Sequence, residues 1–309
     1  MDNFKIDLKK DKQESIISVD NLIIKLKLLI YTLKRPIDDS ILRFVLKNKI
    51  HKKYFKIINR FLWFHGGMHK QYVYGICNRY KPLKNAKVLV PGVGYGKNLF
   101  QLAAFRPREI VVFDPIDFPS QWSYLQKEIK KIFGVKLIFY KGGFKELPNK
   151  YKNKFDFVIS DAVLEHVKNM SYFLKKSHQF LSSNGFFYAS FGPIWFGPNG
   201  DHLNWGKYQK FRHLILDSGV YFQERQKKQS LIKNNSLYRY LLEEDSFSKL
   251  SFDEYLKLFK KFKFQKMRLE TKIDLDLWHD NKLKKQLDKK KIPNFDRYSK
   301  GMFVWFKKR

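Results

Sequence analysis

Apolar positions change their spacing along the chain, and each change marks a shift of element type. Over residues 1–75 they recur at helical spacing between lysines. Ser18–Leu33 carries apolar residues on more than one helical face, and Pro36 breaks the run. Asp38-Asp39-Ser40 can cap a second helix over Ile41–Ile50. An aromatic helix is predicted over His51–Phe64, ahead of Gly66-Gly67. From Tyr80 onward, short continuous apolar runs alternate with helical patterns, as a doubly wound parallel sheet requires. The runs are Val88–Val90, Ile110–Phe113, Val135–Tyr140, Phe157–Ser160 and Phe186–Phe191. Helices are predicted over Asn98–Ala104 and Met170–Leu181, the latter stopped at Asn184-Gly185.

After Phe191 the rhythm breaks. Gly192–Trp205 is rich in Gly, Pro and Asn, and aromatic, charged helices follow to about Asp245. We read 193–249 as an insertion that caps the active site. Regular order resumes at Ser251-Phe-Asp-Glu254, a capping box before a helix over Tyr255–Phe262. Phe264–Ile273 fits a sixth strand, Lys282–Lys291 a solvated lysine-rich segment, and Gly301–Phe306 a last strand. The resulting division is an N-terminal helical extension (1–75), an α/β core (76–192), the cap (193–249) and the remainder of the core (250–309).

Composition narrows this picture in a few places. A chain of 309 residues can bury a full α/β core. Its single cysteine, Cys77, excludes an internal disulfide and a cysteine-based zinc cluster. A reducing cytosol, or the inner face of a membrane, is the compartment expected. No secretory signal and no apolar run long enough for a membrane span is read from the sequence. Net charge is +33, from 62 basic and 29 acidic residues. That excess could serve nucleic acid or another anionic partner. The lysines are dispersed instead of forming one block, so nucleic acid is not expected as a partner. The basic residues 18–50 suit packing on the core, a homodimer contact or a membrane surface.

The candidate chemistry begins at Lys87-Val-Leu-Val-Pro-Gly92-Val93-Gly94-Tyr-Gly96, where a strand runs directly into a glycine-rich turn. Glycine lets backbone turn tightly and approach a ligand closely. Asp114 ends the next strand, 18 residues beyond Gly96, near the spacing of a ribose-binding carboxylate. A dinucleotide site wants G-x-G-x-x-G. Here the spacing is G-x-G-x-G, with Lys97 and Asn98 where the last glycine would fall. Phe155–Val167 then supplies a strand ending in Ser160-Asp161 and a following Leu-Glu165-His166-Val.

This order of signals resembles class I S-adenosylmethionine (SAM) methyltransferases, particularly the type 11-like group with a Leu-Glu-His-Val segment after the fourth strand. The resemblance spans roughly Lys87–Gly192 and, more weakly, Gly301–Phe306. It implies a Rossmann-like fold with an antiparallel last strand and SAM as cofactor. The implied cofactor contacts are Gly92, Val93, Gly94 and Gly96 in the turn, Asp114 at the ribose and Asp161 at the sheet edge. The group often has an acidic residue at the adenine. Gly142-Gly143-Phe144 lacks it, leaving the Phe144 backbone N–H. No Asn/Asp-Pro-Pro-Tyr/Phe segment follows Asp161, as would be expected of many enzymes that methylate base amines.

Catalytic candidates are His166, His202 and Asp201, any of which could take a proton from an acceptor hydroxyl. Trp195 and Trp205 could stack on a sugar face. The Gly-Pro-rich loop resembles that of methyltransferases encoded with bacterial surface-polysaccharide genes. The expectation is therefore O-methylation of a sugar or phosphorylated glycan precursor. The alternatives are an RNA or DNA methyltransferase, or a non-catalytic SAM-fold assembly partner. No ligand spacing supports a metal site, although Asp161, Asp201 and the histidines could contribute to one.

Overall fold

The computed structural model describes residues 26, 58–59, 67–96, 98–203, 209–230, 246–274, 277 and 280–309. The helices expected over 18–33 and 41–50, the contacts expected of 18–50, and Trp205 lie outside this set, apart from Leu26. Eight strands form one sheet: β1 (Ile58–Asn59), β2 (Lys87–Pro91), β3 (Glu109–Asp114), β4 (Lys136–Lys141), β5 (Phe155–Asp161), β6 (Leu181–Phe191), β7 (Phe264–Ile273) and β8 (Ser299–Lys308). Their order is β1-β7-β8-β6-β5-β2-β3-β4. Every neighbouring pair is parallel except those involving β8, which runs antiparallel to both β6 and β7.

The continuous apolar runs follow from burial on both faces. Alternate residues of a strand point to opposite sides. Leu89, Val111, Val158 and Phe187 join one apolar layer. Val88, Val90, Ile110, Val112, Phe157 and Ile159 join the other. Helices α1 (Gly67–Tyr80), α2 (Leu99–Ala103) and α3 (Pro119–Phe133) cover this second face, through Val73, Ile76, Phe100, Leu125 and Ile129. Cys77 is one of its small buried residues. The first face is covered by α4 (Met170–Phe180), α7 (Phe252–Lys261) and α8 (Asn281–Lys289), through Leu174, Phe259 and Leu287. Between β6 and α7 the chain forms α5 (Arg212–Ile215) and α6 (Ser218–Ser230).

Three expectations are corrected. Ile58–Asn59 is not helical; it pairs with Thr271–Lys272 as a short edge strand. Asn184-Gly185 does not stop α4, which ends at Phe180. Strand β6 begins at once, and Asn184 takes φ +59° within it. The pairing with β5 is irregular there. Lysines 282–291 are not merely solvated. Leu283 and Leu287, four apart, lie on one helix face and pack against the core. The capping box at Ser251 is formed as read: its side chain accepts from Glu254 N–H, and Glu254 reaches back to Ser251 N–H.

Candidate active site

A cavity of ≈ 720 Å³ opens at the carboxyl ends of β2, β3 and β5, where open α/β sheets bind their ligands. Its floor is the glycine turn. Gly92, Gly94 and Gly96 take φ +68°, +53° and +82°. At Gly92 the requirement is steric as well, since a Cβ would lie 2.3 Å from Val163 Cγ2. Trp122 Nε1–H donates to Gly94 O at 2.9 Å, tying the turn to α3.

Asp114 closes the turn from the neighbouring strand. Its Oδ2 accepts from Gly94 N–H at 2.6 Å and its Oδ1 from Ile116 N–H at 2.9 Å. Burial raises its pKa, opposed by those two N–H donors. The carboxylate lines the cavity, and each oxygen keeps a second lone pair for a ligand hydroxyl. Beyond β4, Gly142, Gly143 and Phe144 form another stretch of wall. An acidic side chain comes shortly after: Glu146 Oε2 accepts from Gly143 N–H at 2.7 Å and lines the cavity. Phe144 is buried against Phe113 and Phe173.

Asp161, at the end of β5, accepts from Tyr74 O–H at 2.8 Å and Ser190 O–H at 2.6 Å. Tyr74, on α1, also lines the cavity. Burial, then the charge of Asp161, pushes its phenol up. Sequence reading missed Tyr74 because its partner lies 87 residues away. Directly after Asp161 the chain turns sharply, with Ala162 at φ +55°, a left-handed conformation uncommon for a non-glycine residue.

The turn after β5 carries Glu165 and His166. Glu165 is buried, and its Oε1 accepts from Gly192 N–H at 2.9 Å. His166 faces the cavity. Burial, then the neighbouring His202, pulls its pKa down to about 4. The two rings meet edge to face, with centroids 4.8 Å apart. His202 is held by Pro193 O at 3.2 Å, and burial lowers its pKa too. Both imidazoles are therefore neutral near pH 7.

Asp201 lies outside the group of Glu165, His166 and His202, although its charge acts on His202. It is fully buried beside α6, where Tyr221 O–H donates to Oδ2 at 2.8 Å and Leu203 N–H to Oδ1 at 3.2 Å. Arg225 in turn donates to Tyr221. Asp201 and His202 are consecutive, and their side chains take different partners, Asp201 meeting Tyr221 and His202 meeting His166. Trp195 is likewise buried. It packs on Phe247 and His213, with Lys249 Nζ 4.8 Å from its ring centre.

Sheet order and glycine turn together define a Rossmann-like class I methyltransferase fold. Residues 89–189 match the family model Methyltransf_11, a methyltransferase domain. Solved structures similar to the chain include an S-adenosylmethionine dependent methyltransferase from Mesorhizobium loti (14% identity, 76% of this chain and 96% of that one, TM-score 0.46). Another is geranyl diphosphate C-methyltransferase from Streptomyces coelicolor A3(2) (10% identity, 78% and 80%, TM-score 0.48). A third is phosphoethanolamine N-methyltransferase 2 from Haemonchus contortus (14% identity, 86% and 55%, TM-score 0.47). No curated protein sequence matches the chain.

Proposed function

We propose that the chain transfers the methyl group of SAM to a hydroxyl of a sugar or phosphorylated glycan precursor used in a bacterial surface polysaccharide. One observation carries the hydroxyl acceptor: a neutral imidazole, His166, lines the cavity and packs edge to face against a second, His202, behind it. A hydroxyl is a weak nucleophile until its proton is drawn away. An amine needs no such help once neutral. The glycine turn and Asp114 would hold the cofactor, so that transfer becomes a displacement between two fixed reactants. The carbohydrate part rests on the Gly-Pro-rich loop of the cap and its similarity to loops of enzymes that act on surface saccharides.

The test has two arms. Mass spectrometry of surface glycans from a deletion strain should show one methyl group missing. With the purified protein and that glycan precursor, His166→Ala should keep SAM affinity within about twofold and lose about 10²–10⁴-fold in turnover. An unchanged glycan profile would sink the carbohydrate acceptor. Full turnover by His166→Ala would sink the role given to the histidine pair.

A further inference from the structure

We propose that Glu165, His166 and His202 form a binding site for a divalent first-row transition cation. This rests on the reading above, because the cation would be the means by which the histidine pair activates the acceptor hydroxyl. One donor atom from each residue lies within 4.8 Å of the others. They come from two separate parts of the chain, the turn after β5 and the loop after β6.

What distinguishes this cluster from incidental packing is how each donor is held from behind. His166 Nδ1 faces Ser246 O at 3.1 Å, and His202 Nε2 faces Pro193 O at 3.2 Å. A carbonyl only accepts, so the facing nitrogen of each ring carries the hydrogen. The lone pair then sits on the opposite nitrogen, Nε2 of His166 and Nδ1 of His202. Glu165 is oriented by Gly192 N–H at 2.9 Å. A backbone carbonyl behind each imidazole is the usual way a ligating histidine has its tautomer and ring orientation set. Phe247 fixes both rings from a third side, with centroids 5.2 Å and 5.1 Å away.

The spacing is slightly open. Tetrahedral bonds of ~2.0–2.2 Å put ligand atoms about 3.3–3.6 Å apart, so binding would draw the donors in by roughly 1 Å. Side-chain torsions can supply that. Three protein ligands leave at least one position open, and His166 borders the cavity. An open position is the mark of a catalytic site and not of a closed structural one. The donor set selects the ion. Two imidazole nitrogens and one carboxylate suit Zn²⁺, Co²⁺, Mn²⁺ or Fe²⁺, whereas Mg²⁺ and Ca²⁺ prefer oxygen throughout.

In the reaction, the acceptor oxygen would occupy the open position, which lowers its pKa and releases its proton to solvent. The oxygen then forms a bond to the methyl carbon as the carbon–sulfur bond breaks. The products are the methyl ether, S-adenosylhomocysteine and one proton. Positive charge leaves the sulfonium, and no electron donor or acceptor is required.

The test is direct metal binding by the full chain after chelator treatment. Titration with Co²⁺, followed optically, and with Mn²⁺, followed by electron paramagnetic resonance, should each give one site. Glu165→Gln and His202→Ala should each weaken binding at least tenfold, while His178→Ala, outside the cluster, should not. Pulsed resonance on bound Mn²⁺ in the unaltered chain should show coupling to two imidazole nitrogens, a readout that needs no variant to fold. Absence of a one-to-one site, a site without nitrogen coupling, or variants that bind like the parent would overturn the assignment. Calorimetry with SAM on the same samples tests the methyltransferase reading separately, since the cofactor residues are not the cation's ligands.

Discussion

At the scale of single residues, the glycine turn was legible because its demands are local. Strand, glycines and Asp114 lie within one βαβ stretch, and the rules that connect them act over short distances. The three glycines are not equivalent, however. At Gly94 a Cβ would meet nothing within 4 Å, whereas at Gly92 it would collide with Val163. Gly94→Ala should therefore cost only the positive φ, about 1 kcal/mol. Gly92→Ala should cost about 1–3 kcal/mol more through overpacking, measured by urea denaturation without cofactor. Equal losses would mean that Val163 simply moves aside. Asp114→Ala strips two N–H groups of their acceptor and should weaken SAM binding by roughly 1.5–3 kcal/mol in calorimetry. The histidine pair, by contrast, was only half legible. His166 and His202 could each be named, but their meeting could not. It depends on a loop in which His202 takes φ +60°, and no periodic pattern encodes that. The same loop buries Asp201 against Tyr221.

At the scale of elements, strands buried on both faces declared themselves, and their boundaries suffered only where chain geometry overrode composition. Asn184-Gly185 has the chemistry of a helix stop, yet sits within the irregular start of β6. Ile58–Asn59 lies in an aromatic, helix-like run and is captured by the open edge of β7. Helix α7 was read correctly from its capping box, but a second device at its N-terminus was hidden. Asp296, 44 residues later, accepts from Phe252 N–H at 2.8 Å. Burial is the main reason that its pKa rises from 3.8 to about 7, with Asp253 and Glu254 adding to the rise. The folded chain thus holds this proton where the unfolded chain has released it. The stability it contributes is full below about pH 4 and is lost as pH rises through 7. Asp296→Asn cannot ionise, and its amide oxygen can still accept from Phe252. Its stability relative to the parent should improve by about 1–3 kcal/mol between pH 5 and pH 8.5. Thermal melts at the two pH values read this, and an identical shift at both would remove Asp296 from the account.

Across the whole molecule, net charge +33 is the feature that sequence made plainest and explained least. Several basic side chains are already committed: Lys87 and Lys136 to Glu109, Lys210 and Lys300 to Asp274, Arg297 to Asp288. We expect the positive excess as a whole to act as a diffuse field. Retention of RNA or DNA on a filter should be weak, indifferent to sequence and steeply reduced between 50 and 200 mM salt. Tight binding selective for one sequence or structure would instead favour a nucleic-acid acceptor. The sheet order has a consequence of another kind, for the chain while it is being made. Strand β6 is complete at Phe191, but the strand that covers its outer edge, β8, does not begin until Ser299. Translation at ~5–20 residues per second leaves that edge waiting for roughly 5–20 s. During that interval, Phe186, Phe187 and Tyr188 lie on a strand paired with β5 alone, its other edge ready to join a neighbouring nascent chain. The synthesis of this protein on crowded polysomes should therefore depend on a chaperone that holds the half-built sheet until its last strand arrives.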